Sequence, residues 1–243
     1  MQKSIFILFC TLFIFSFSFS QNGNQKIKAF AETGLFNERF NYDSLIPERR
    51  RGGERLGDVN SFGLQYEFKL GNTNWFAKTG LGFSNRHYSI SKYSFGDIFF
   101  AFFLFDAPQK KDSFAINYVR FTNKYLQIPL SLSYNFSRRR NSQFKVGINL
   151  RSDFLLESKA SFKLDSTNTN DIFVLEKAYT SDATKSIFTL EPYIEQSFRV
   201  YKNAGMYYQF RPFSFTSAKL NNRFTVSTNE FLSLTFGVFY DLK

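Results

Sequence analysis

Between Lys124 and Phe136 every second side chain is apolar. Leu126, Ile128, Leu130, Leu132, Tyr134 and Phe136 share one parity, and Tyr125, Gln127, Pro129, Ser131, Ser133 and Asn135 share the other. Successive side chains of a strand point to opposite faces, so this stretch folds as a strand with one hydrocarbon face and one polar face. The same alternation runs through Asp58–Leu70, Gln143–Glu157 and Leu232–Leu242. A soluble sandwich alternates too, with its apolar face inward; a membrane barrel uses the same pattern turned outward, so periodicity alone does not choose.

Connection lengths do choose. The sequence reads as eight strands near 26–36, 58–70, 75–91, 117–136, 143–158, 186–200, 205–217 and 230–242. Long links (37–57, 92–116, 159–185, 218–229) alternate with short ones (Gly71–Asn74, Ser137–Ser142, Tyr201–Ala204). Outer-membrane barrels have short periplasmic turns and long external loops. Tyr66, Phe68, Trp75, Tyr134, Phe136, Phe144, Phe198, Tyr208 and Tyr240 gather near the short turns or the C-terminus, as an interfacial ring would. The expected fold is all-β, an eight-stranded antiparallel transmembrane up-and-down β-barrel.

Composition agrees and excludes other classes. Aromatic residues make up 20% of the chain while mean hydropathy is only −0.27, which fits neither a bundle of membrane helices nor a disordered chain. Met1–Ser20 carries one cation, Lys3, then an apolar run and a Ser-rich end, the layout of a cleaved signal peptide. The expected organisation is a leader over 1–20 and a barrel domain over 21–243. Cys10, the only cysteine, falls in the leader, so the exported chain has no thiol chemistry; with a single His, no metal and no cofactor are expected.

At Tyr125-Leu-Gln-Ile-Pro-Leu-Ser-Leu-Ser-Tyr134 the chain resembles the PorT-like outer-membrane β-barrel proteins of Bacteroidota. The resemblance extends over the mature chain to the final Phe236-Gly-Val-Phe-Tyr240, and it implies a barrel in the bacterial outer membrane. Thr235, Gly237, Tyr240 and Leu242 also resemble the C-terminal signal read by the barrel-insertion machinery, with Lys243 standing where a terminal aromatic is common. Some proteins of the family are thought to serve secretion complexes.

The inward parity carries Glu67, Lys69, Lys78, Arg86, Lys145, Arg151, Asp153, Glu191, Glu195, Arg199 and Arg211. Eight strands leave an interior only wide enough for side chains. These charges are therefore expected to fill the lumen as an ion-pair network, in preference to lining a gated ion path. His87 falls on the lipid-facing parity between Arg86 and Tyr88, with Ser84 and Ser89 nearby but no carboxylate close in the chain. A Ser–His nucleophile needs a third group to orient the ring, so His87 is read as an interfacial residue.

Two external segments stand out. Arg49, Arg50, Arg51 and Arg55 form a cationic loop suited to lipopolysaccharide phosphates. The run Ile98, Phe99, Phe100, Phe102, Phe103 and Phe105 is too apolar for an ordinary loop and suits a partner or lipid. The expected function is a non-catalytic outer-membrane barrel whose loops bind envelope lipid or a surface or secretion-complex protein. The alternatives are an outer-leaflet enzyme acting on lipid A or phospholipid, and a small diffusion channel. The compartment excludes nucleic acid despite a net charge of +11.

Overall fold

The computed structural model describes residues 25–40, 54–91, 116–137, 141–164, 184–218 and 225–242. Residues 1–20, read above as a leader, Arg49–Arg51 and the run Ile98–Phe105 lie outside the described residues; Arg55 is described only as backbone. The strands are β1 (Gln25–Phe40), β2 (Glu54–Lys69), β3 (Trp75–Ser91), β4 (Ile116–Asn135), β5 (Ser142–Leu164), β6 (Ser186–Tyr201), β7 (Ala204–Arg211), β8 (Phe215–Ala218) and β9 (Thr225–Leu242). They form one antiparallel sheet in the order β5-β4-β3-β2-β1-β9-β7-β6-β8, and β5 also pairs with β6.

The expectation of an eight-stranded up-and-down barrel is therefore corrected: the described residues form nine strands, in a sheet ending on a four-residue strand. The expected strand 205–217 is broken after Arg211. Pro212 has no N–H to donate to a ladder. Beyond it, the Ser214 hydroxyl donates to the carbonyl of Glu230 on β9. The chain resumes as β8 against β6, with Leu190 opposite Phe215 and Ile187 opposite Ala218.

The two faces of the sheet invert the usual rule of burial. Leu64 is 60% exposed, Phe62 56% and Ile148 54%, while Lys28 and Arg151 are fully buried. In water this arrangement would expose a very large apolar patch; in a bilayer it places hydrocarbon against lipid and charge inside. The strands, 16 or more residues long apart from β7 and β8, exceed the roughly 9–11 needed to cross hydrocarbon. On the short-turn side the rings make a linked belt. Centroids are 5.3 Å apart for Trp75–Tyr134, 4.8 Å for Tyr134–Phe136, 6.5 Å for Phe136–Phe144 and 6.3 Å for Phe198–Tyr208.

Phe30 lies inside at mid-height, level with Tyr207 across Gly237. Phe30 is packed against paired Gly63 and Gly82, where a Cβ on either glycine would come within 2.9 Å of its ring. Glycine at both positions is what leaves room for that ring.

Candidate functional site

On β1, inward positions read Lys26, Lys28, Phe30, Glu32. Phe30 thus stands between two groups of buried charge, and each group draws its members from several strands.

The group nearer the short turns is built on lysine. Lys28 Nζ lies 2.8 Å from Glu67 and 2.5 Å from Glu195. Lys145 lies 2.5 Å from Glu67, and Lys78 is 3.3 Å from Glu195 and donates to Gln209 at 3.1 Å. At the lower rim Lys26 donates to Gln143, and Asp241 is held by Arg199 at 2.5 Å. Every one of the four lysines also sits over a ring: Lys26 over Phe239, Lys28 over Tyr207, Lys78 over Tyr193 and Lys145 over Phe76, at 4.0–4.9 Å. Ring faces carry negative charge density, so they share the work of solvating these cations.

The group beyond Phe30 is built on arginine. Arg151 reaches four carboxylates: Glu32 at 3.3 Å, Asp153 at 3.1 Å, Glu191 at 2.9 Å, and Glu230. Arg86 adds contacts to Asp153 and Glu230, and Arg211 to Glu32 at 2.6 Å and Glu191 at 3.3 Å. A planar fork with five donors suits this bridging; a point-charge ammonium does not. Above it, Arg86 lies over the rings of Phe36 and Tyr125, and Tyr88 stacks on Phe121 at 4.6 Å.

Of the residues singled out in the sequence, Glu67, Lys78, Arg86, Lys145, Arg151, Asp153, Glu191, Glu195 and Arg211 come together in these groups. Lys69 does not; it is half-buried at the end of β2. Arg199 sits at the rim with Asp241. Sequence reading missed Lys26, Lys28, Glu32 and Glu230. The first three follow from plain alternation along β1. Glu230 does not, because a register shift between Leu35 and Phe36 leaves Phe231 unpaired and reverses parity along β9. Glu230 thereby turns inward while Phe231 and Leu232 are both exposed.

No carboxylate is close to His87 along the chain, but the ladder supplies one. Asp58 is its direct cross-strand neighbour, with Oδ2 3.3 Å from His87 Nδ1, and Asn60 donates to the same oxygen at 2.8 Å. A neighbour across a ladder is invisible to spacing along the chain. Further round the outward face, Lys124 and Lys159 each lie 2.7 Å from Glu157. Hydrogen bonds from Lys124 and Lys159 hold this exposed carboxyl down at about 2. Among the described residues no three His, Cys, Asp or Glu side chains are arranged to hold a metal ion.

Residues 15–235 match the family described as outer membrane protein beta-barrel domain. No curated protein matches the chain. Among solved structures, the outer membrane protein OprG from Pseudomonas aeruginosa is 14% identical with a TM-score of 0.51, covering 92% of this chain and 97% of its own. The attachment invasion locus protein Ail of Yersinia pestis is 9% identical with a TM-score of 0.38, covering 91% of this chain and 100% of its own. The likeness to OprG is one of fold.

Proposed function

The chain belongs to the outer membrane protein β-barrel domain family and resides in the outer membrane, and from that premise we propose that it is a non-catalytic, non-conducting scaffold whose external segments bind envelope lipid or a surface partner. The observation that carries this reading is the sign reversal inside the protein. Lys28, Lys78 and Lys145 pair with Glu67 and Glu195 near the short turns, with Lys26 on Asp241 at the rim, while three arginines face Glu32, Asp153, Glu191 and Glu230 beyond Phe30. A permeating cation is repelled by the first layer and an anion by the second, so neither sign has a continuous favourable path. With the interior filled, binding falls to the outside: to Arg49, Arg50, Arg51 and Arg55 for lipopolysaccharide phosphates, and to Ile98–Phe105 for a partner or lipid. The Tyr125–Tyr134 motif supports a place among PorT-like proteins of Bacteroidota.

The test is flotation of the full chain with lipopolysaccharide-containing and plain phospholipid vesicles, before and after deletion of Ile98–Phe105 and replacement of the four arginines by glutamine. Weaker association with the lipopolysaccharide vesicles alone supports the cationic loop; weaker association with both supports the apolar run. Unchanged association with both vesicle types, together with unchanged cross-linked partners in native membranes, rejects external binding.

A second reading, a small diffusion channel, is favoured by buried polar atoms without a hydrogen-bond partner among the described residues. Five belong to the arginine layer: Arg86 Nε and Nη1, Arg211 Nε, Asp153 Oδ1 and Glu230 Oε2. Discrete conductance steps in planar bilayers support the channel; a silent bilayer supports the scaffold. The pair His87–Asp58 is read as structural, and lipid A mass spectra unaltered by His87→Ala are expected.

A further inference from the structure

The lipid-facing surface is not uniformly convex. Two cross-strand rows run side by side near the β6–β7 turn: Ile27, Tyr240, Ala204 and Tyr201 in one, Ala29, Val238, Met206 and Phe198 in the other. Ala29 and Ala204 are small where their neighbours are large. The result is a groove of about 440 Å³ whose walls are almost wholly apolar, rimmed by Val200, Tyr201, Met206 and Tyr240. These four side chains are all more than half exposed.

The groove has a charged end. Lys202 follows Tyr201 in the turn at a left-handed backbone angle, φ 21°. Its ammonium lies over the Tyr201 ring, 5.5 Å from the centroid. An apolar trough opening on lipid therefore meets an exposed cation at the level of the aromatic belt, where the headgroups of the periplasmic leaflet lie. Asp241, whose backbone N–H donates to the carbonyl of Asn203 in the same turn, is already engaged by Arg199 at 2.5 Å and Lys26 at 3.7 Å. It does not neutralise Lys202.

We propose that this groove is a binding site for one periplasmic-leaflet phospholipid, holding an acyl chain against Ala29, Ala204 and Met206 with the phosphate at Lys202. An anionic headgroup such as phosphatidylglycerol is preferred over zwitterionic phosphatidylethanolamine, because Lys202 has no carboxylate partner among the described residues.

The experiment is native mass spectrometry of the full protein released from vesicles of equal phosphatidylglycerol and phosphatidylethanolamine. The wild type is expected to retain one phospholipid, enriched in phosphatidylglycerol. Ala29→Leu with Ala204→Leu fills the trough from the lipid side and is expected to reduce the retained adduct about tenfold. Lys202→Gln is expected to keep an adduct and lose the headgroup preference. An adduct unchanged by the double leucine variant overturns the site, and so does a wild-type dimer that the same variant dissolves, which would make a second copy the occupant. Should the leucine variant not fold, photoactivatable phosphatidylglycerol on the wild type gives an independent reading. Cross-links concentrated on Tyr201 and Met206 support the site, and cross-links spread evenly around the lipid face overturn it.

Discussion

The lysine layer and the arginine layer solve the same problem, charge buried in a narrow interior, by different chemistry. In the lysine layer each ammonium meets one or two carboxylates and rests on a ring, so the load on any ion pair is light. In the arginine layer one side chain, Arg151, is common to four carboxylates from β1, β5, β6 and β9. Buried carboxylates without a counter-charge are costly. In both layers every carboxylate keeps another cation when the central one is removed, since Arg211 holds Glu32 and Glu191 and Arg86 holds Asp153 and Glu230. The layers differ in balance, three lysines on Glu67 and Glu195 against three arginines on four carboxylates. On the scaffold reading proposed above, opposite signs at the two levels close the interior to ions of either charge.

Arg151→Met breaks this comparison most severely. It strips a shared partner from four buried carboxylates, and we expect a loss of about 5 kcal/mol, the upper end for removing one side of a buried pair. Urea unfolding in lipid vesicles measures it. Lys28→Met is expected to cost about 3 kcal/mol in the same assay, because Glu67 and Glu195 then still face Lys145 and Lys78 one for one, whereas without Arg151 four carboxylates face only Arg86 and Arg211. Equal losses for the two variants would show that the charge balance left behind does not set the cost. Arg151→Lys sharpens the point: charge is retained but the fork is lost, and about 2 kcal/mol should go with it, the scale of a charged hydrogen bond.

The smallest effect concerns the outer collar, where charge meets water. Glu157 is held at about 2 by Lys124 and Lys159, below the roughly 4.3 of a free glutamate. Its folded value is depressed, so its contribution is complete above the unfolded value and is lost as pH falls towards 2. Glu157→Gln should therefore narrow the stability difference between pH 6 and pH 3 slightly, and 0.5 M salt should erase most of that change. A difference between wild type and variant that persists in salt would mean the collar is less exposed than its geometry indicates.

Alternation made the faces legible from the sequence: the apolar parity of β2, β4 and β5 meets lipid, and nine of the eleven inward charges named there join the two layers. What the sequence hid are the places where alternation fails. The break at Pro212 and the unpaired Phe231 are two sides of one irregularity, joined by the Ser214–Glu230 hydrogen bond. Together they turn nine strands out of an expected eight and rotate Glu230 into the arginine layer. Pro212 is a visible warning, and so is Glu230, a carboxylate that unbroken alternation would set on the lipid-facing parity of Leu232. The Asp58–His87 pair was hidden for a different reason, because cross-strand partners are set by register and not by spacing.

If the two layers seal the interior as proposed, a thiol placed between them is shielded from water, and Cys10 being the only cysteine of the chain allows the test. Gln127 is buried and inward-facing. In a Cys10→Ser background, Gln127→Cys should resist a water-soluble maleimide applied from both sides of the folded, reconstituted protein, while Asn72→Cys in the exposed β2–β3 turn labels fully. Rapid labelling of Gln127→Cys in protein that still migrates as folded would contradict the account.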